Sequence, residues 1–155
     1  MKSTKLKNIS NLVSFDTIQN EIISKSNMEI IFENNIIAEV GIKLGSADKT
    51  IDCENKLVTP GFVDSHTHPV FVKARDEEFS RRLAGESYES IASNGGGIKS
   101  SIQDVRDATE TDLIALVKKR MDSFLKLGTT TLEAKSGYGL DTESELKSLS
   151  VLGKV

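Results

Sequence analysis

The chain has 155 residues, 37% of them hydrophobic and 28% charged, with 20 basic against 23 acidic side chains and a formal net charge of -3. That balance excludes the basic footprint of a nucleic-acid-binding domain or of a protein drawn to an anionic membrane, and no run reaches the roughly 20 apolar residues of a membrane span. Lys2, Lys5 and Lys7 are followed by no apolar leader core and the single cysteine, Cys53, forbids an internal disulfide, so the expected compartment is the reducing cytoplasm.

From Ile9 to about Val58, short apolar runs alternate with polar turns and show no helical period, which predicts β structure. Residues 28–32 and 36–40 read as strands, and Asn34-Asn35 between them tolerates the positive φ of a tight hairpin. Residues 50–53 form a third run leading through Glu54-Asn55 to residues 56–58. Residues 1–59 are therefore expected to form a small β module, with Cys53 as a small core residue.

Pro60-Gly61 breaks the chain, and Phe62-Val63-Asp64-Ser65-His66-Thr67-His68 follows as a strand that carries both histidines of the sequence. Side chains alternate along a strand, so His66 and His68 share one face and stand close enough to bind one metal ion. Asp64 falls on the same face and reads as ordering the strand end rather than as a ligand. Residues 69–109 then separate this strand from the next clear helix, far beyond the ~15 residues of an ordinary connection. Phe71, Phe79, Leu83, Tyr88 and Ile91 predict that this stretch is ordered. It leaves the carboxyl end of the strand, where parallel α/β folds build their sites. Gly95-Gly96-Gly97 within it lacks the Lys-Ser/Thr of a phosphate loop and reads as a turn.

Thr109 and Asp112 make a helix start of the capping-box kind, and Leu113, Leu116, Val117, Met121, Phe124 and Leu125 recur at helical spacing until Gly128. Residues 129–133 are β-branched and strand-like, residues 136–139 form a loop, and a second helix from Asp141 or Thr142 is expected to bury Leu146, Leu149 and Leu152. The order strand, helix, strand, helix implies parallel strands with a right-handed crossover. Two parallel strands do not complete a sheet, so the chain reads as the opening of something larger.

The run Pro60-Gly61-Phe62-Val63-Asp64-Ser65-His66-Thr67-His68 resembles the first-strand motif of the metal-dependent amidohydrolase superfamily. A longer series is more specific. His66-Thr67-His68-Pro69-Val70-Phe71, Arg75, Glu77-Glu78-Phe79, Arg82-Leu83, Gly85, Tyr88-Glu89, Ile91-Ala92, Gly95-Gly96-Gly97-Ile98 and Lys135-Ser136-Gly137-Tyr138-Gly139-Leu140 together resemble the imidazolonepropionase family, the ring-opening hydrolases of histidine degradation. The resemblance implies an α/β fold. Residues 60–155 would be the first two β/α units of a truncated (β/α)8 TIM barrel, and residues 1–59 the N-terminal part of a small β-sandwich.

The same resemblance implies that His66 and His68 bind one divalent metal, Zn or Fe, and that Arg75, Tyr88 and Tyr138 bind the substrate. The planar fork of Arg75 suits a carboxylate, and Tyr138 between two glycines suits a close approach to a ligand. Tyr88 is either a pocket residue or a loop anchor packed on Phe79. The third histidine, the metal aspartate and the acid/base residues are expected beyond Val155. The implied reaction opens 4-imidazolone-5-propanoate to N-formimidoyl-L-glutamate; the implied partners are a small-molecule substrate and, for the full-length protein, a second copy, with no nucleic acid and no membrane. Val72-Lys73 departs from the small residues of relatives, and Lys135 evokes the carboxylated lysine of binuclear relatives but belongs to the second strand. Two further readings stand beside this one. Another cyclic amidohydrolase or deaminase of the superfamily would share His66 and His68 but not the Arg75, Tyr88 and Tyr138 set. A non-catalytic fragment would explain why the chain has too few metal ligands.

Overall fold

A computed structural model describes residues 2–155, which divide into two units, Met1–Pro60 and Gly61–Val155. The first unit is a sheet of β1 (Ser3–Asp16), β2 (Glu21–Glu33), β3 (Ile36–Gly41), β4 (Lys49–Asp52) and β5 (Leu57–Val58), in the order β3-β2-β1-β4 with β5 also on β1. Asn34 and Asn35 take φ of 51° and 66° and close the β2–β3 hairpin with Glu33 opposite Ile36, the left-handed turn whose twist matches its strands. β4 and β5 run parallel to β1, while β2 is antiparallel to it.

The strands extend well past the apolar runs that announce them. β1 carries Lys5, Lys7, Asn8 and Asn11, so its pattern does not alternate, yet its backbone pairs with β2 along nearly its whole length. A register shift between Leu6 and Ile9, with Asn8 at φ 56°, places Ile9 in a core with Met28, Ile30 and Ile31. Cys53 is half-buried rather than a full core residue, and burial pushes its thiol pKa up.

In the second unit β6 (Phe62–Thr67) and β7 (Thr129–Ala134) are parallel neighbours. The long connection after β6 folds into three short helices, α1 (Asp76–Leu83), α2 (Tyr88–Ser93) and α3 (Ile98–Asp107). Ser87 accepts from the Ser90 amide at the start of α2, and the Gly97 amide at the start of α3 donates to Glu78. α4 (Glu110–Lys126) is the crossover helix. The Thr109 hydroxyl accepts from the Asp112 amide at 3.2 Å and donates to the Asp112 carboxylate at 2.6 Å, and Gly128 ends the helix at φ 94°.

α5 (Thr142–Leu152) follows β7, and Val70, Leu113, Val117 and Val151 form the core that it shares with α4. Here the expectation for α5 needs correction. Its buried positions are Ser144, Ser148 and Val151, while Leu146 and Leu149 are 60% and 49% exposed; of the three leucines only Leu152 packs on the core. The Asp141 cap sets the phase of the helix, and the small serines, with Ser148 donating to the Ser144 carbonyl, let it lie close to α4. Leu125 near the end of α4 is likewise exposed. Among the described residues no helix is long and apolar enough to cross a membrane.

Candidate metal and substrate site

Two strand exits build the site. The Lys135 amide donates to the Thr67 carbonyl at 2.8 Å, which keeps β6 and β7 paired up to the point where the histidines emerge. The His66 amide donates to the Asp64 carboxylate at 3.1 Å, so Asp64 serves the backbone of the strand end. His66 is exposed, His68 is half-buried, and their rings lie 5.1 Å apart at 67°. Two imidazoles on one ion have ring centres no more than roughly 6.5 Å apart given metal–nitrogen bonds of about 2 Å, so the pair fits a shared metal.

The protonation of His68 supports that fit. Its Nδ1 lies 2.8 Å from the Ser136 carbonyl oxygen, which can only accept, so Nδ1 is the donor and Nε2 is the nitrogen left to face a metal. This contact needs a residue without a side chain beside it. Gly137 sits at φ 150°, and a Cβ there would come within 2.7 Å of His68 Nδ1. Among the described residues no group of three or more His, Cys, Asp or Glu side chains is placed to hold a metal ion, so His66 and His68 stand as a pair.

Tyr138 follows Gly137 and meets His68 edge-on at 5.9 Å and Phe71 at 6.4 Å. Its loop is tied from two helices. From α5, Glu145 accepts from the amides of Gly139 and Leu140, both at 2.8 Å. Burial works against the Glu145 charge, but the Ser136 hydroxyl and these two amides together hold its carboxyl below the usual glutamate range. From α3, Arg106 donates to the Gly139 carbonyl at 2.8 Å and pairs with Asp141 at 2.9 Å.

Arg75 stands at the start of α1, its side chain 40% exposed and 3.9 Å from Glu78. It lines a cleft of about 200 Å³ with Phe71, Lys73, Ala74, Ser101 and Tyr138. The structure thus brings Arg75 and Tyr138 together, and the Tyr138 ring links them to the histidines. Tyr88 does not line this cleft. Its hydroxyl lies beside Gly97, where a Cβ would stand 3.3 Å away, and Gly97 in turn donates to Glu78, the neighbour of Arg75. Phe79 is exposed.

Arg120 escaped the sequence reading. From α4 it donates to the carbonyls of Pro69 at 3.0 Å and Val72 at 3.3 Å, and its guanidinium lies 3.5 Å from the centre of the Phe71 ring. Burial lowers its pKa without removing its charge. A signal existed, since Arg120 falls on the same helical stripe as Leu113 and Val117 and a cation there must have partners. Glu145 gave none, because an acid in a first helical turn is already explained by the helix dipole. A larger hollow of about 650 Å³ between α3, α4 and α5 contains none of the expected site residues. Its cations are taken up: Arg106 by Asp141, and Lys147 by the carbonyls of Val105, Arg106 and Ala108.

No protein-family model matches the chain. Curated relatives do. It is 47% identical over 148 residues to the imidazolonepropionase of Clostridium tetani, covering 91% of this chain and 35% of the relative. It is 51% identical over 123 residues to that of Syntrophobacter fumaroxidans, covering 79% and 28%, and 43% identical over 148 residues to that of Psychromonas ingrahamii, covering 93% and 37%. The chain therefore spans about a third of the length of the curated relatives it matches. Among solved structures it is similar in fold to a Xaa-Pro dipeptidase (TM-score 0.57, 18% identity, 99% of this chain and 31% of that one). It is similar also to guanine deaminase from C. acetobutylicum (TM-score 0.53, 18% identity, 99% and 34%). The second likeness is to a deaminase and the first to a peptidase, so fold alone does not separate substrates. The sequence is more specific: over the stretch it spans, the chain is 43–51% identical to these imidazolonepropionases.

Proposed function

We propose that this chain is part of a metal-dependent hydrolase that opens the ring of 4-imidazolone-5-propanoate to give N-formimidoyl-L-glutamate. In this reading residues 60–155 are the first two β/α units of a (β/α)8 barrel and residues 1–59 belong to a small β-sandwich. The observation that carries it is the continuity of the site: the His66–His68 pair, the Tyr138 ring and the Arg75 cleft lie in one row along two parallel strand exits.

His66 and His68 would hold the metal, Zn or Fe, with ligands from outside this chain completing the set. A divalent metal so held supplies a Lewis acid for the ring carbonyl and lowers the pKa of water at the site to about 7. Arg75 binds the propanoate carboxylate through its fork, which fixes the ring relative to the histidines. Tyr138 offers a ring face and a hydroxyl to the imidazolone, and Tyr88 supports the Arg75 side through Gly97 and Glu78. The Ser136 carbonyl orients the His68 ring through Nδ1.

The test is turnover by the metal-loaded, full-length protein. It is expected to open 4-imidazolone-5-propanoate and to leave nucleobases and dihydroorotate untouched; comparable turnover of dihydroorotate would instead favour a different cyclic amidohydrolase. The 155-residue chain alone is expected to hold Zn²⁺ weakly and to be inactive, because two neutral nitrogens do not make a closed site. Equilibrium dialysis checks this, and one tightly held ion per chain would count against it.

A further inference from the structure

We propose that Ser101 is a second anchor for the substrate carboxylate, acting beside Arg75; this rests on the function proposed above and deepens it. Ser101 is 7% exposed, lies on α3 and lines the cleft with Phe71, Arg75 and Tyr138. Its hydroxyl makes no hydrogen bond to any described residue. Three other helical serines return to a carbonyl four residues back: Ser80 to Asp76, Ser123 to Lys119 and Ser148 to Ser144. No fully sealed side-chain oxygen or nitrogen among the described residues lacks a partner, so the Ser101 hydroxyl is not shut in a dry core, and its side chain lines both this cleft and the hollow beside it. A buried hydroxyl left free at a cleft wall is a donor in want of an acceptor.

Charge identifies the acceptor. The cleft is lined by Lys73, Arg75 and no acid, whereas the adjoining hollow that Ser101 and Arg75 also line carries Asp76, Glu77, Glu78 and Asp104. An anion is therefore drawn to the smaller space. Lys73 is 75% exposed and turned to Asp104 at 3.3 Å, and Arg75 at 3.9 Å from Glu78 is too far for a hydrogen bond, so the Glu78 carboxylate does not use up the Arg75 donors. A carboxylate has about four acceptor positions; a bidentate guanidinium takes about two and leaves room for a serine hydroxyl.

The experiment compares 4-imidazolone-5-propanoate with its methyl ester in the metal-loaded, full-length protein and its variants. Ser101→Ala is expected to raise KM for the acid roughly tenfold with kcat and metal content unchanged, the effect of losing one hydrogen bond to a charged group. Ser101→Asp should raise it further by repulsion, and neither change should touch KM for the ester. Ser101→Cys, of similar size and a weaker donor, should fall between wild type and Ser101→Ala and decides the matter should the alanine variant not fold. An unchanged KM for the acid, or an equal rise for acid and ester, would overturn the role of Ser101 alone. A wild-type protein that does not open the acid at all would overturn the proposed function, and this inference with it.

Discussion

The two segments that leave the parallel strands are held in opposite ways. After β7, residues 135–141 are tied at nearly every step: Ser136 to His68, Gly139 to Glu145 and Arg106, Leu140 to Glu145, and Asp141 to Arg106 and Ser144. After β6, Arg120 straps the chain only from Pro69 to Val72, and Arg75 beyond it has one distant carboxylate for company. The carbonyl that fixes the His68 ring and the Tyr138 ring beside it sit on the tied segment. Arg75, proposed above to reach an anion, sits on the freer one, where its fork can adjust to a ligand.

Breaking the tied side should disturb both metal binding and activity. Gly137→Ala drives a Cβ into His68 at a φ that alanine rarely adopts, so the ring must leave the Ser136 carbonyl. In the full-length protein metal affinity should fall about 10–100-fold, the usual cost of losing a partner that orients a ligand, with activity falling in parallel. Metal content after dialysis reads this directly, and an unchanged content would show that the Ser136 contact does not orient His68.

On the freer side, Arg75→Ala should weaken substrate binding by about 2–5 kcal/mol and leave metal content intact. Arg75→Lys should recover only part of the loss, since an ammonium has no fork. Full activity of the alanine variant would move the anchor to another cation, with Lys73 next in line. Arg120→Lys is a smaller change. It keeps the charge but cannot span both carbonyls while lying on Phe71, and should cost about 1 kcal/mol of stability in a denaturant titration.

The smallest effect is set by pH. Glu145 is held below its ordinary pKa when folded, so its contribution is complete above the ordinary glutamate range and is lost as pH falls through the lower folded value. Acidification should lower the hydrogen-exchange protection factors of the Gly139 and Leu140 amides before those of α5 change. Glu145→Gln should flatten that dependence; an unaltered profile would show that the loop does not depend on the carboxylate.

Local chemistry was legible in the sequence wherever neighbours along the chain decide the outcome. Asn34-Asn35 announces its hairpin and Thr109 its helix because a turn or a cap is settled by a few adjacent residues. His66 and His68 share a face because strand geometry alone puts them there. The length of β1 was not legible, because its lysines and asparagines interrupt the alternation while its backbone still finds partners in β2, β4 and β5. Nor was the division of residues 69–109 into three helices, two of which start on contacts to Ser87 and Glu78 that apolar spacing does not reveal.

What the sequence determined by itself, then, was the turns, the caps, the shared face of His66 and His68 and the resemblance to imidazolonepropionases. What only the tertiary structure decided was direction and company. Leucines at helical spacing in α5 turn outward because close packing on α4 favours Ser144 and Ser148 on the inner face. Arg75, Ser101 and Tyr138, far apart in the chain, line one cleft because strand pairing and helix docking bring their segments together, a long-range outcome that no local pattern encodes.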